Sequence, residues 1–168
     1  MSFKLSELEG KAEHGGKEHF PNMVCLHATL YAVNDALAAV DDIIYVPPDV
    51  IKASNGILAG LWSSEGLCGI LLAGAMAISM KHGASNPHDW NTIFETGKKA
   101  KDFYYWFKRE YGSCNCVDLS KVSDWGDPEA IAWYKENTRD VCIDVMCGTL
   151  RKLMDVLTTD NPNVVRNV

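Results

Sequence analysis

GLCGILLAGAMAISM, residues 66–80, is the most apolar window of the chain, closed by Glu65 on one side and Lys81 on the other. At fifteen residues it is shorter than the roughly 20 needed to cross a bilayer, so it reads as a buried core helix. Ser64 is a good N-cap, Glu65 suits the positive end of a helix, and Gly83 is a natural terminator after Lys81, which predicts a helix over about residues 65–82. Along it Gly69, Ala73 and Ala77 recur every four residues and make one face small, where another helix can approach closely.

Working outward, the neighbouring segments are helical too. Pro21 suits a helix start, and the apolar residues Met23, Leu26, Leu30 and Val33 carry a helical spacing that ends near Ala39. Residues 43–46 are β-branched and aromatic but have no second strand to pair with, so they read as a loop. A helix follows from the Pro47-Pro48 pair and is interrupted at Asn55-Gly56. Residues 91–111 group Phe103, Trp106 and Phe107 on one stripe with lysines around them, and Gly112 stops the helix. After the turn VSDWGDP come a short helix, EAIAWYKENTRD, and a final amphipathic one, VCIDVMCGTLRKLMDVL. The expected fold is all-α, a compact multi-helix bundle around the central apolar helix. Residues 1–20 read as a polar arm or short helix, 21–160 as the single helical domain, and 161–168 as a frayed polar tail.

The chain has 168 residues, 47% of them hydrophobic and 23% charged, enough for one sizeable core. A net charge of −6 gives no general attraction to phosphate backbones or anionic membranes, so neither nucleic acid nor membrane is an expected partner. The first twenty residues hold no apolar run of secretory-signal length, so a cytoplasmic location is expected. No Gly-Lys-Ser/Thr phosphate loop and no catalytic dyad is apparent, and no enzymatic reaction follows from the sequence.

Six cysteines in such a chain favour metal binding or redox chemistry over structural disulfides. Cys25, Cys68 and Cys142 fall at predicted helix starts, where unpaired backbone N–H groups and the helix dipole favour a thiolate. Cys114 and Cys116, in YGSCNCVDLS, stand one residue apart beyond Gly112. Cys142 and Cys147 are five residues apart on one helix, about 140° around its axis, and cannot both point straight at one small site unless the helix distorts or starts between them.

Taken together, VCLHATLYA, GLCGILLAGAMAISMKHG, YGSCNCVDL and DVCIDVM resemble the C_GCAxxG_C_C family of redox-active proteins, over about residues 20–158. Ile70 and Ala73 stand where the central helix of that family carries alanine and its last glycine. The resemblance implies a small helical protein whose signature cysteines are Cys25, Cys68, Cys116 and Cys142. A related domain of split-Soret cytochromes is associated with an iron-sulfur centre and a dimer. The haem attachment motif Cys-x-x-Cys-His is absent here.

The leading expectation is therefore an iron-sulfur cluster of unspecified type, held by Cys25, Cys68, Cys116 and Cys142 with Cys114 and Cys147 as extra sulfurs, used for electron transfer or redox sensing. A homodimer, formed through the small-residue face or an exposed apolar helix, and an unidentified redox partner protein are expected with it. Two alternatives stand beside this. One is metal-free thiol-disulfide or sulfur-transfer chemistry at Cys68 with a resolving cysteine, Cys114 and Cys116 being the local pair. The other is a structural zinc site completed by His27, His82 or His88, although His27 and His82 read more readily as core or boundary residues. Trp62, Tyr104, Tyr105 and Trp106 are candidates to shield the sulfurs from water, or plain core.

Overall fold

The computed structural model describes residues 3–166. Among them, eight right-handed helices carry nearly all the regular structure. They are α1 (Leu5–His19), α2 (Cys25–Ala38), α3 (Pro48–Ser54), α4 (Gly69–His82), α5 (Trp90–Tyr111), α6 (Cys116–Ser120), α7 (Pro128–Asn137) and α8 (Arg139–Leu157). A 3-10 turn, Asn55–Ile57, follows α3. Two short strands, β1 (Phe3–Lys4) and β2 (Val164–Val165), pair in parallel. The all-α bundle expected from the sequence is the fold that forms.

Helix α4 buries most of its circumference: Ile70, Leu71, Ala73, Ala77 and Ile78 are buried, whereas Leu72, Ala75 and Met76 on one face are half-buried and Ser79 is exposed. Its small face receives α2. A side chain at Gly69 would come within 3.0 Å of Cys25 Sγ and 3.4 Å of Leu26 Cβ. Ala73 and Ala77 are fully buried inside the chain, which corrects the expectation that this face serves a dimer. Helix α5 turns Phe103 and Phe107 inward and ends at Gly112, whose φ of 77° is the left-handed cap conformation that glycine adopts without steric cost. Asp89 caps its start, accepting a hydrogen bond of 3.1 Å from the Thr92 N–H.

Four segments differ from the sequence reading. The N-terminal segment, read as a polar arm or short helix, forms a fifteen-residue helix that joins the core, with Leu8, Ala12 and Gly16 buried. The glycine at 16 lets Met146 of α8 pack against the α1 backbone. Helix α2 begins at Cys25, four residues beyond Pro21. The C-terminal segment is tied down through residue 166, where Val164 is buried and Arg166 pairs with Asp155. Among the described residues no helix is long and apolar enough to cross a membrane.

The fourth difference bears on function. The central helix begins at Gly69, with Cys68 as its N-cap, and not at Glu65. Residues 59–63 instead make a left-handed turn: Ala59, Gly60, Leu61, Trp62 and Ser63 all have φ between 50° and 73°, and Glu65 follows at 58°. This conformation costs L-residues about 1–2 kcal/mol each, so it persists only where the surroundings hold it. Here Gly60 O accepts from the N–H groups of Ser64 and Gly66, both at 3.0 Å. Ser63 Oγ accepts from Trp125 N at 2.7 Å, and Trp62 Nε1 donates to Asn55 O at 2.9 Å.

Candidate functional site

Four cysteines reach the site from segments far apart in sequence, each near the start of a helix. Cys25 is the first residue of α2, Cys68 the N-cap of α4, Cys116 the first residue of α6, and Cys142 lies in the first turn of α8. Cys68 and Cys116 are held side by side by a small antiparallel bridge between Leu67 and Asn115. In it Cys68 N donates to Cys114 O at 2.7 Å, and Cys116 N donates to Gly66 O at 3.0 Å. The missing side chain of Gly69 brings Cys25 against the start of α4. The close turn also needs Gly60, since a side chain there would lie 2.9 Å from Cys116 Cβ.

Electrostatics make these four one group. Charge on Cys68, Cys116 or Cys142 would oppose ionisation of Cys25, and charge on Cys116 and Cys142 would oppose that of Cys68. Burial is the larger effect at every one. It pushes Cys25 well above the ordinary thiol range, Cys68 up to about 12 and Cys142 up to about 11, and it raises Cys116 as well. The helix-start effect expected from the sequence is present, for the backbone N–H groups of Ile70 and Leu71 favour the Cys68 thiolate. Desolvation outweighs it. Without a cation among them, the four are neutral thiols at pH 7.

Around the sulfurs stand donors that stabilise negative charge. The buried Trp125 Nε1 has no hydrogen-bond acceptor, and the side chain it acts on is Cys116. The Tyr134 hydroxyl favours the thiolate of Cys142. Trp125 and Tyr134 meet edge to face, 4.9 Å between ring centroids. Ser120 Oγ lies 3.9 Å from Cys116 Sγ and donates its own hydrogen to Cys116 O at 2.8 Å. A buried indole N–H without an acceptor suits a site that receives added negative charge, such as metal-bound thiolate or sulfide.

Cys114 and Cys147 lie elsewhere. Cys114 Sγ is turned toward α5, 4.0 Å from the Tyr104 carbonyl. Cys147 is buried between α8 and α1, with Lys17, Glu13 and Arg151 as its charged surroundings. Neither is among the charges that act on the other four sulfurs. The histidines also stay apart: His27 is hydrogen bonded to Ser54 Oγ at 2.9 Å, His82 closes the far end of α4, and His88 lies in the following loop. Among the described residues no three His, Cys, Asp or Glu side chains come close enough to hold a single metal ion.

The aromatic shield differs from the expected one. Trp106 packs on Phe103 and Tyr111, Tyr105 is exposed, and Trp62 is 58% exposed at the rim. The rings that do reach the sulfurs, Trp125 and Tyr134, were not singled out in the sequence. Their only sequence signal is that they are two of three large aromatics, with Trp133, in a mostly polar stretch.

The family model described as "Putative redox-active protein (C_GCAxxG_C_C)" matches residues 23–156, and the chain belongs to that family. All four clustered cysteines lie within the matched segment. No curated protein and no solved structure gives a significant match.

Proposed function

We propose that this redox-active protein binds an iron-sulfur cluster through Cys25, Cys68, Cys116 and Cys142 and uses it in electron transfer or redox sensing. The observation that carries the proposal is the convergence of four thiols from four separate helix starts, beside a buried indole N–H that lacks an acceptor. Four cysteine thiolates are the usual ligand set of a cluster.

When bound, the cluster supplies one-electron chemistry. The chain does the rest. Its four thiols each give up a proton on binding metal, and the bound cations replace the solvation that burial removed. Trp125 and Tyr134 aim donors at Cys116 and Cys142, and the N–H groups of Ile70 and Leu71 do the same for Cys68. Hydrogen bonds to cluster sulfurs stabilise the more negative, reduced form and raise the potential. Phe20 and Leu58, both buried, pack on the Cys25 side of the site. Metal-free thiol chemistry at Cys68 is disfavoured, because an attacking thiol works best with a pKa near ambient pH and that of Cys68 is pushed up to about 12.

The test is a set of single Cys→Ser variants with iron counted per chain. Cys68→Ser and Cys116→Ser lose most of their iron, whereas Cys147→Ser and Cys114→Ser retain it. Equal retention in all four variants would show that the ligand set is wrong.

A further inference from the structure

The sulfur site opens on a cavity of about 610 Å³, within the size range of small-molecule pockets. Cys25 and Cys116 form part of its wall, whereas Cys68 and Cys142 do not, so the cavity lies on the outer side of the four sulfurs. Its remaining wall is mainly apolar and aromatic, with Phe20, Trp62, Trp125 and Tyr134 as its aromatic members. Met23 and Trp62 are 38% and 58% exposed, an unusual amount of apolar surface to leave open beside a buried polar centre.

The charged groups on this wall are all of one sign. Lys135 and Arg139 line the cavity and no carboxylate does, in a chain whose net charge is −6. Neither cation has a salt-bridge partner among the described residues. Arg139 is the first residue of the nineteen-residue helix α8, where the helix dipole opposes a positive charge. Its guanidinium carbon lies 5.9 Å from the centre of the Phe20 ring, so the cation stays against the apolar wall.

We propose that this cavity binds a small aromatic anion, its ring between Trp62, Trp125 and Phe20 and its carboxylate or comparable group on Arg139 and Lys135. A guanidinium matches a carboxylate in two parallel hydrogen bonds, and the nearby start of α8 adds to the same positive potential. A ligand so placed lies against Cys25 and Cys116. Its role as a redox ligand rests on the cluster reading above, whereas its binding does not.

Isothermal titration calorimetry of the full chain, as isolated without oxygen, tests this with naphthalene-2-carboxylate and its neutral counterpart naphthalene-2-methanol. The carboxylate should bind saturably and at least about tenfold more tightly than the alcohol, the scale of one charge-assisted contact. Arg139→Gln should bring the carboxylate to the level of the alcohol, Lys135→Gln should weaken the carboxylate alone, and Trp62→Ala should weaken both ligands. Circular dichroism of each variant verifies the fold. Equal binding of the two ligands, an unchanged affinity in both charge variants, or a cavity closed to both ligands by a second copy of the chain would overturn the proposal. Iron and sulfide are measured on the same samples, which keeps the two readings separate: a cluster without ligand binding refutes the pocket alone, and ligand binding without a cluster refutes the cluster alone.

Discussion

In metal-free, reduced protein Cys68 is a buried thiol with its pKa pushed up to about 12, against 9.0 for an ordinary cysteine. Only the thiolate is alkylated, so at neutral pH Cys68 offers about a thousandfold less of the reactive form than it does in the unfolded chain. A more basic thiolate is also a better nucleophile. With a Brønsted slope of about 0.4–0.5 this returns roughly twentyfold, leaving a net slowing of about fiftyfold before any steric protection is added. The assay is iodoacetamide labelling of metal-free protein, folded and in denaturant, with each cysteine followed by peptide mass spectrometry from pH 7 to 10. For the folded protein the Cys68 rate should climb tenfold per pH unit through pH 10, whereas the denatured chain levels off near pH 9. A plateau below pH 9 in the folded protein, or a neutral rate within about threefold of the denatured one, would refute the desolvation argument and restore Cys68 as a reactive thiol.

The same raised pKa values make the metal-free fold sensitive to alkali. Cys68 and Cys142 have folded pKa values of about 12 and about 11, above their unfolded values, so the stability they contribute is complete below about pH 9 and is lost as pH rises toward 11–12. Urea unfolding at pH 8 and pH 10 should differ by roughly 2–3 kcal/mol from these two groups, and a metal-free Cys68→Ala/Cys142→Ala variant should lose less stability by about that amount, keeping the loss that comes from Cys25 and Cys116; an equal alkaline loss in that variant would contradict the assignment. Gly66→Ala places a methyl group 2.9 Å from the carbonyl carbon and oxygen of Gly60, backbone atoms of the left-handed turn that cannot step aside. It should cost about 1–3 kcal/mol by thermal unfolding and lower iron content, whereas Gly56→Ala, which meets nothing within 4 Å, should change neither. A fully stable Gly66→Ala protein would show that the turn is not needed for the site.

The fold was legible where one physical signal acted alone. The stripe of Phe103 and Phe107 and the stop at Gly112 define α5 in sequence and structure alike. The apolar α4 was legible as core, but its start was not. Ser64-Glu65 has the chemistry of an N-terminus, while the chain there runs through a left-handed turn held by Trp125 and Asn55, residues that local patterning cannot bring together. At α1, Gly15-Gly16 left a short helix and a loose arm both open because glycines weaken helices, yet Gly16 lies where Leu150 and Met146 of α8 pack against α1. The site shows the same division. The family resemblance selected the four cysteines that do converge, and the helical angle separated Cys147 from Cys142. The donors Trp125 and Tyr134 were missed because each meets its sulfur only through tertiary packing. The sign of the thiol pKa shifts was missed for a related reason: a helix start can be read locally, but the depth of burial that outweighs it cannot.

The central claim is tested most directly by iron and acid-labile sulfide analysis, with a visible absorption spectrum, on protein purified without oxygen. The account predicts coloured protein with iron and sulfide in comparable amounts and a visible absorption that bleaches on reduction. Colourless protein that contains neither, and that takes up neither when reconstituted with ferrous iron and sulfide, would contradict it.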